Sequence, residues 1–448
     1  MRLTILRLTI ITLLASVTLA VSRFSHLPFS EYSSTTASAA PAPVALVSDQ
    51  RQLADSVAFL EQRIRSDPGD ALLYNKLGGY YLQSLRETGA LQYLSLMSRT
   101  ARASLASVPA VRNNDGLSLL TLAEFSSHEF RAARDHAAQL TRSDPAKEYP
   151  YEMLFDSEIE LGDYDKAAMA FAQMMRRRGG INVNTETREA RLATLHGNSS
   201  GAARHLANAI VLGLNLSVPP RESIAWSYWQ LGETAFNAGE YAAAEQYYRN
   251  ALVTFPGYFR ALASLGRVRA ARGDLQEAIV HYKVAIEVLP DPAIVAALGD
   301  LYKITGQDKK AADQYALVEV IGHLSVIAGR LYNRPLALFY ADHDMHAQEA
   351  YTDAKREYGT RRDIYGADAV AWTALKAGKI AEARASIKEA MRLGTLDARL
   401  FYHAGMIAQA SGDNAVARHY LQRALTLSPM FDPLQASKAR KTLQRLGA

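Results

Sequence analysis

The chain of 448 residues contains no cysteine. That removes disulfides, thiolate metal sites and cysteine nucleophiles. Charge of one sign is also scarce: 50 basic against 45 acidic residues leave a net +5. A nucleic-acid binder concentrates its basic residues in a stripe with interleaved aromatics. The densest basic cluster here is Arg176, Arg177 and Arg178, with Arg188 and Arg191 after it. It reads as a solvated helix end, where cations meet the negative end of the helix dipole; a phosphate or lipid headgroup site is the other reading. No nucleic-acid partner is expected. The chain also lacks Gly-x-Ser-x-Gly, His-Glu-x-x-His, a phosphate loop and a dinucleotide glycine fingerprint. Glu158 with Glu160, and Asp163 with Asp165, fall on helix ends or turns with no deep pocket expected to desolvate them. No catalytic residue, cofactor or bound metal is therefore expected, and the chain does not read as an enzyme.

Long apolar runs are missing too. The uncharged stretch Leu8 to Val21, behind Arg2 and Arg7, has 14 residues, short of the ~20 that span a bilayer. Residues 1–22 read as a secretory signal. Extended back to Leu3, with Arg7 snorkelling, they would make a membrane anchor; an organelle transit peptide is a third reading. Residues 23–50 read as a flexible linker, because the Ser/Thr/Ala/Pro tract from Ser33 to Pro43 lacks large apolar side chains. The mature chain is expected to be exported to a periplasmic, cell-envelope or extracellular place; in the anchored alternative residues 3–21 hold it to the membrane.

What is present is alanine, within a 49% hydrophobic composition that favours closely packed helices. It comes with a period. Gly232 and Gly266, Ala244 and Ala278, and Pro256 and Pro290 each stand 34 residues apart. One unit reads Tyr228, Leu231, Gly232, Ala235, then Ala244, Tyr248, Ala251 and Pro256; the next reads Leu262, Leu265, Gly266, then Ala278, Tyr282, Ala285 and Pro290. Phe401, Ala404, Gly405, Ala408, Ala417, Leu421, Ala424 and Pro429 repeat the spacing. Steps of three and four put these residues on one helix face. The small ones let two helices approach, and the proline stops the second helix. Gly162, Gly239, Gly273, Gly306, Gly378 and Gly412 stand where the first helix must end, as left-handed caps. Weaker units surround Leu77, Leu117, Tyr151, Ala203, Leu298, Ala350 and Val370, and an insertion is implied around Leu85 to Gln92.

This pattern resembles the tetratricopeptide repeat. The resemblance implies an all-α fold, a right-handed superhelical α-solenoid of about ten helix pairs. A helix from Arg51 to Ser66 caps the front, and a C-terminal capping helix lies within 432–448. The expected arrays are 51–213 and 221–431, with a bend where Gly179-Gly180 and Pro219-Pro220 flank the weakest unit.

The resemblance also implies that the first helix of each pair lines a groove for peptides or partner helices, through positions two, five and nine and the last turn. One candidate cluster is Trp226, Trp229, Glu233, Phe236 and Asn237, followed by Arg260 and Arg267. The other is Tyr332, Phe339, Asp342 and His343, then Tyr365, Asp368, Trp372 and Tyr402. Aromatics bordered by charge suit an interface; the competing reading is packing between neighbouring helices. Trp229→Ala separates the two, through affinity or through stability. A clamp for a peptide carboxylate would use Asn75, but Gly79 stands one turn on, so that reading is not favoured. The segment Asp342 to His346 is either a polar turn or a metal site with two histidines.

The leading functional reading is an exported scaffold that binds a partner protein or peptide. A membrane-anchored assembly or secretion accessory factor is the alternative. A metal-binding or enzymatic protein using 342–346 is the reading from another class.

Overall fold

A computed structural model describes residues 40–46, 50–178, 181–327 and 334–447. The expected signal or anchor at 1–22 lies outside them, as does Tyr332. Among the described residues there is no strand and there are 22 α-helices. None is long and apolar enough to cross a membrane. The fold is an α-solenoid. A leading helix, α1 (Gln50–Ser66), precedes ten antiparallel pairs. They are α2–α3 (Ala71–Thr88, Gln92–Ser107), α4–α5 (Asn114–Ser126, Phe130–Ser143), α6–α7 (Tyr149–Leu161, Tyr164–Arg178), α8–α9 (Val183–Leu195, Ser199–Leu214) and α10–α11 (Arg221–Asn237, Tyr241–Thr254). They continue as α12–α13 (Phe259–Ala271, Leu275–Val288), α14–α15 (Pro292–Ile304, Asp308–Ile327), α16–α17 (Arg334–Asp342, Ala347–Tyr358), α18–α19 (Ile364–Lys376, Ile380–Ala390) and α20–α21 (Ala398–Ala410, Asn414–Leu427). A trailing helix, α22 (Gln435–Arg445), follows.

The repeat explains the pairing. A Cβ on Gly232 would come 2.3 Å from Tyr248 Cε1, and one on Gly299 would come 2.5 Å from Tyr315 Cε1. No side chain fits there, so glycine on the first helix lets the ring on the second lie flat against its backbone. The six glycines expected to end first helices all have φ between 73° and 89°, the left-handed cap conformation. The insertion expected after Leu85 is taken up by a longer α2, of 18 residues, ending on Gly89 at φ 70°.

The described residues form two compact units. The first holds 50–178, Ile181 and Thr360–Asp363. Leu77, Tyr81, Leu94, Met97 and Leu119 build its core. Asn75 serves inside it, donating to Asn113 Oδ1 at 3.0 Å and accepting from Ser104 Oγ at 2.6 Å. Arg361 belongs to this unit as well, over the Phe130 ring at 5.3 Å and paired with Glu160 and Asp363. From the basic run, Arg177 lies 4.1 Å from the centre of the Tyr151 ring and donates to the Pro145 carbonyl.

The second unit holds 40–46, 182–327, 334–359 and 364–447. Its last pairs return to its first. Thr395 Oγ1 donates to the Leu195 carbonyl at 2.5 Å, and Ser428 Oγ to the Phe236 carbonyl at 3.2 Å. The Met430 amide donates to the Tyr241 hydroxyl at 2.8 Å, and that hydroxyl lies 3.2 Å from Ser428 Oγ. α22 closes the unit with Ala436 and Ala439 fully buried and Leu443 and Leu446 packed beside them. Its Lys438 points the other way, to the Asp342 carbonyl. Composition assigns 40–46 to a flexible linker. In the structure Ala40 and Leu46 lie against the core of this unit.

Candidate functional site

The first helices of the second unit carry polar side chains at equivalent places. Glu233, Arg267 and Asp300 succeed one another at one-unit intervals on α10, α12 and α14. Glu233 is buried and accepts from Tyr248 at 2.8 Å and Ser264 at 3.0 Å, and it pairs with Arg267. Arg267 also donates to Tyr248 at 3.1 Å and lies over the Phe236 ring at 4.1 Å. Burial and the Glu233 charge push the Tyr248 hydroxyl well above its ordinary pKa, so it stays a donor.

The same construction recurs two units on. Asp300 Oδ1 accepts from Tyr315 at 2.8 Å and lies 2.7 Å from His343 Nε2. His343 Nδ1 is 2.7 Å from the Phe339 carbonyl. Both ring nitrogens face acceptors, which suits the doubly protonated imidazolium. Burial alone would lower the His343 pKa, but the hydrogen bond to and charge of Asp300 raise it above its ordinary value. A third group joins the last pairs. Asp342 Oδ1 accepts from Trp372 Nε1 at 2.9 Å and Gln435 Nε2 at 3.0 Å, and Tyr402 donates to Gln435 at 2.6 Å. His403 is buried, 2.8 Å from Asp368 and stacked on Trp372 with ring centres 4.2 Å apart.

These positions sort the candidate residues. Trp229, Glu233, Phe236, Asn237, Phe339, Asp368 and Trp372 are buried. Trp229 donates through Nε1 to Ser264 Oγ at 3.0 Å, so its ring is held inside the helical layer. Trp226, Arg260, Arg267, Asp342, His343 and Tyr365 are half-buried. Arg260 lies 5.8 Å from the centre of the Trp229 ring and 5.1 Å from that of Phe259. Asp342 to His346 is the turn between α16 and α17, with Asp344 and His346 at positive φ. Its two histidines part company there: His343 goes to Asp300, and His346 to Glu319 at 3.2 Å. No three potential metal ligands converge among the described residues.

Sequence reasoning named one end of each network and missed the other. Tyr248, Tyr315, Ser264 and Gln435 were absent from the candidate clusters, although the tyrosines recur with the repeat. It placed Tyr228 in the repeat but not the bond its hydroxyl donates to the Pro41 carbonyl at 2.7 Å.

The family description "Tetratricopeptide repeat" matches residues 230–293 and 370–430. No curated protein matches the chain in sequence. Among solved structures, the chain is similar to PilW, a widely conserved type IV pilus biogenesis factor, at 17% identity and TM-score 0.39, over 47% of this chain and 93% of that one. It is also similar to human IFIT1, at 14% identity and TM-score 0.44, over 86% and 96% of the two chains. Yeast Tom70 matches at 12% identity and TM-score 0.33, over 88% and 93%.

Proposed function

Because the chain is a tetratricopeptide-repeat protein, we propose that it is a non-catalytic scaffold binding a partner protein or peptide along the first helices of the 221–431 array. The observation that supports this most is the regular succession of those helices. It sets Trp226 and Arg260, both half-buried, one unit apart on α10 and α12, and such a surface reads a partner at regular spacing. Trp226, Arg260 and Tyr365 are half-buried and can touch a partner without leaving the core. An aromatic ring beside a guanidinium is the usual composition of an interface hot spot.

Affinity capture with the full chain and with a Trp226→Ala, Arg260→Ala variant tests the reading. The expected outcome is a protein recovered by the native chain and depleted at least tenfold with the variant, measured below the thermal midpoints of both. Equal recovery by both removes these residues from the interface. We propose further that the protein acts outside the cytosol, after export directed by residues 1–22. A reporter fused after Pro43 then becomes active only on translocation, and activity confined to the cytosol overturns this. The membrane-anchored alternative keeps residues 1–21, so the mass of the mature N-terminus separates the two.

A further inference from the structure

The segment Ala40–Leu46 has no regular secondary structure, yet Ala40, Pro41, Pro43 and Leu46 are half-buried. Its two ends, Ala40 and Leu46, pack on the hydrophobic cluster that includes Tyr228. Between them, the Pro41 carbonyl accepts from Tyr228, 187 residues away. Tyr228 is completely buried, and burial pushes its pKa up to about 12, so the hydroxyl donates at any ordinary pH.

That hydroxyl is not needed by the repeat. The equivalent place one unit on is Leu262, and two units on Val295; both fill the space with hydrocarbon alone. A tyrosine adds a donor, and the partner the structure gives it is the backbone carbonyl of Pro41 in this irregular segment. The segment suits such a seat. Pro41 and Pro43 have no amide hydrogen to leave unpaired, and each holds its own φ and the residue before it extended. Little chain entropy is left to lose on docking. The segment carries no charge, so no ion is desolvated against the apolar cluster.

We propose that Ala40–Leu46 is a ligand bound in cis: the second unit has a seat for an uncharged, extended Ala/Pro segment, and the chain's own tether keeps it filled. This rests on the scaffold reading only in that a partner segment of the same chemistry must displace the tether. A tethered ligand acts at an effective concentration on the order of millimolar, so a free competitor of equal affinity is strongly disfavoured.

The test uses the full chain and a version with residues 40–46 replaced by alternating Gly and Ser. The probe is a fluorescent synthetic peptide of residues 39–47. It is expected to bind the replaced chain saturably and the intact chain at least tenfold more weakly. Tyr228→Phe in the replaced chain should weaken the peptide several-fold while the thermal midpoint holds, because the ring stays and only the donor goes. Because the chain has no cysteine, Ala42→Cys in the full chain accepts a single nitroxide at an exposed position. Its motion should be restricted, and freed by adding Tyr228→Phe.

A peptide that binds neither chain, or both equally, overturns the proposal, as does a label that moves freely in the intact chain. Association of intact chains that is absent from the replaced chain would also overturn it, by showing the segment docks between copies. Failure of the scaffold reading looks different: the peptide binds the replaced chain, but no protein is captured through Trp226 and Arg260.

Discussion

At the scale of single residues, two side chains decide how the second unit responds to change. Trp229 is 1% exposed and hydrogen-bonded to Ser264. Trp229→Ala therefore leaves a cavity, although Ser264 keeps its bond to Glu233, and should cost about 3–5 kcal/mol, read as a large drop in thermal midpoint. Asp397 caps α20, accepting from the Arg399 and Leu400 amides at 2.7 and 3.2 Å. Its other oxygen is buried with no hydrogen-bond partner among the described residues. Burial raises its pKa from 3.8 to about 7. The folded chain then holds this proton where the unfolded chain has lost it, so stability falls as pH rises from about 4 to about 7. Asp397→Asn keeps the cap acceptor and cannot ionise. Its stability relative to the native chain should rise across that window by on the order of 4 kcal/mol, and parallel profiles would show that the group does not titrate there. Neither burial was legible beforehand. Spacing places Trp229 on the first helix of a pair, but it does not say that Ser264 and Arg260 close over it. An aspartate before a helix reads as a cap whether or not water reaches it.

At the scale of elements, the sequence was far more legible, because the repeat states its own geometry. Gly232 and Tyr248 are 16 positions apart in a helix hairpin, and only close contact explains a glycine opposite a ring. The six glycine caps and the ten pairs follow from the same period. So does α22, whose apolar stripe Ala436, Ala439, Leu443 and Leu446 stands apart from its basic residues. What periodicity could not show is that Gln435 of this helix reaches Asp342, 93 residues back, and binds Tyr402 on the way. Ending the chain after Pro433 should uncover Phe401 and Tyr402 and cost roughly 2–4 kcal/mol by loss of apolar burial. Hydrogen exchange should then accelerate first in α20 and α21. Unchanged protection there would mean that α22 is dispensable.

At the scale of the whole molecule, a repeat array is expected to hold together through nearest neighbours alone. The second unit departs from that rule, because Thr395 meets Leu195 and Ser428 meets Phe236. A period reports which residues are equivalent and is silent on where the array ends in space, so this seam had no trace in the sequence. Tyr241→Phe removes the acceptor for the Met430 amide and the contact with Ser428. It should cost about 1–3 kcal/mol by leaving that amide unpaired. Hydrogen exchange should quicken in α20–α21 as well as in α10–α11; an effect confined to α11 and its neighbours would show that the seam carries no stability.

The seam also sets a clock. Tyr241 and the Phe236 carbonyl leave the ribosome well before their partners, which follow 187 to 192 residues later. At about 5–20 residues per second, that separation lasts roughly 10–40 s. Throughout it the early pairs can stack on one another, but the edge they present to Ser428 and Met430 faces only water. Translation speed between residues 241 and 430 therefore fixes how long a half-built array waits with its first edge open, and any factor that shelters the nascent chain has that interval in which to act.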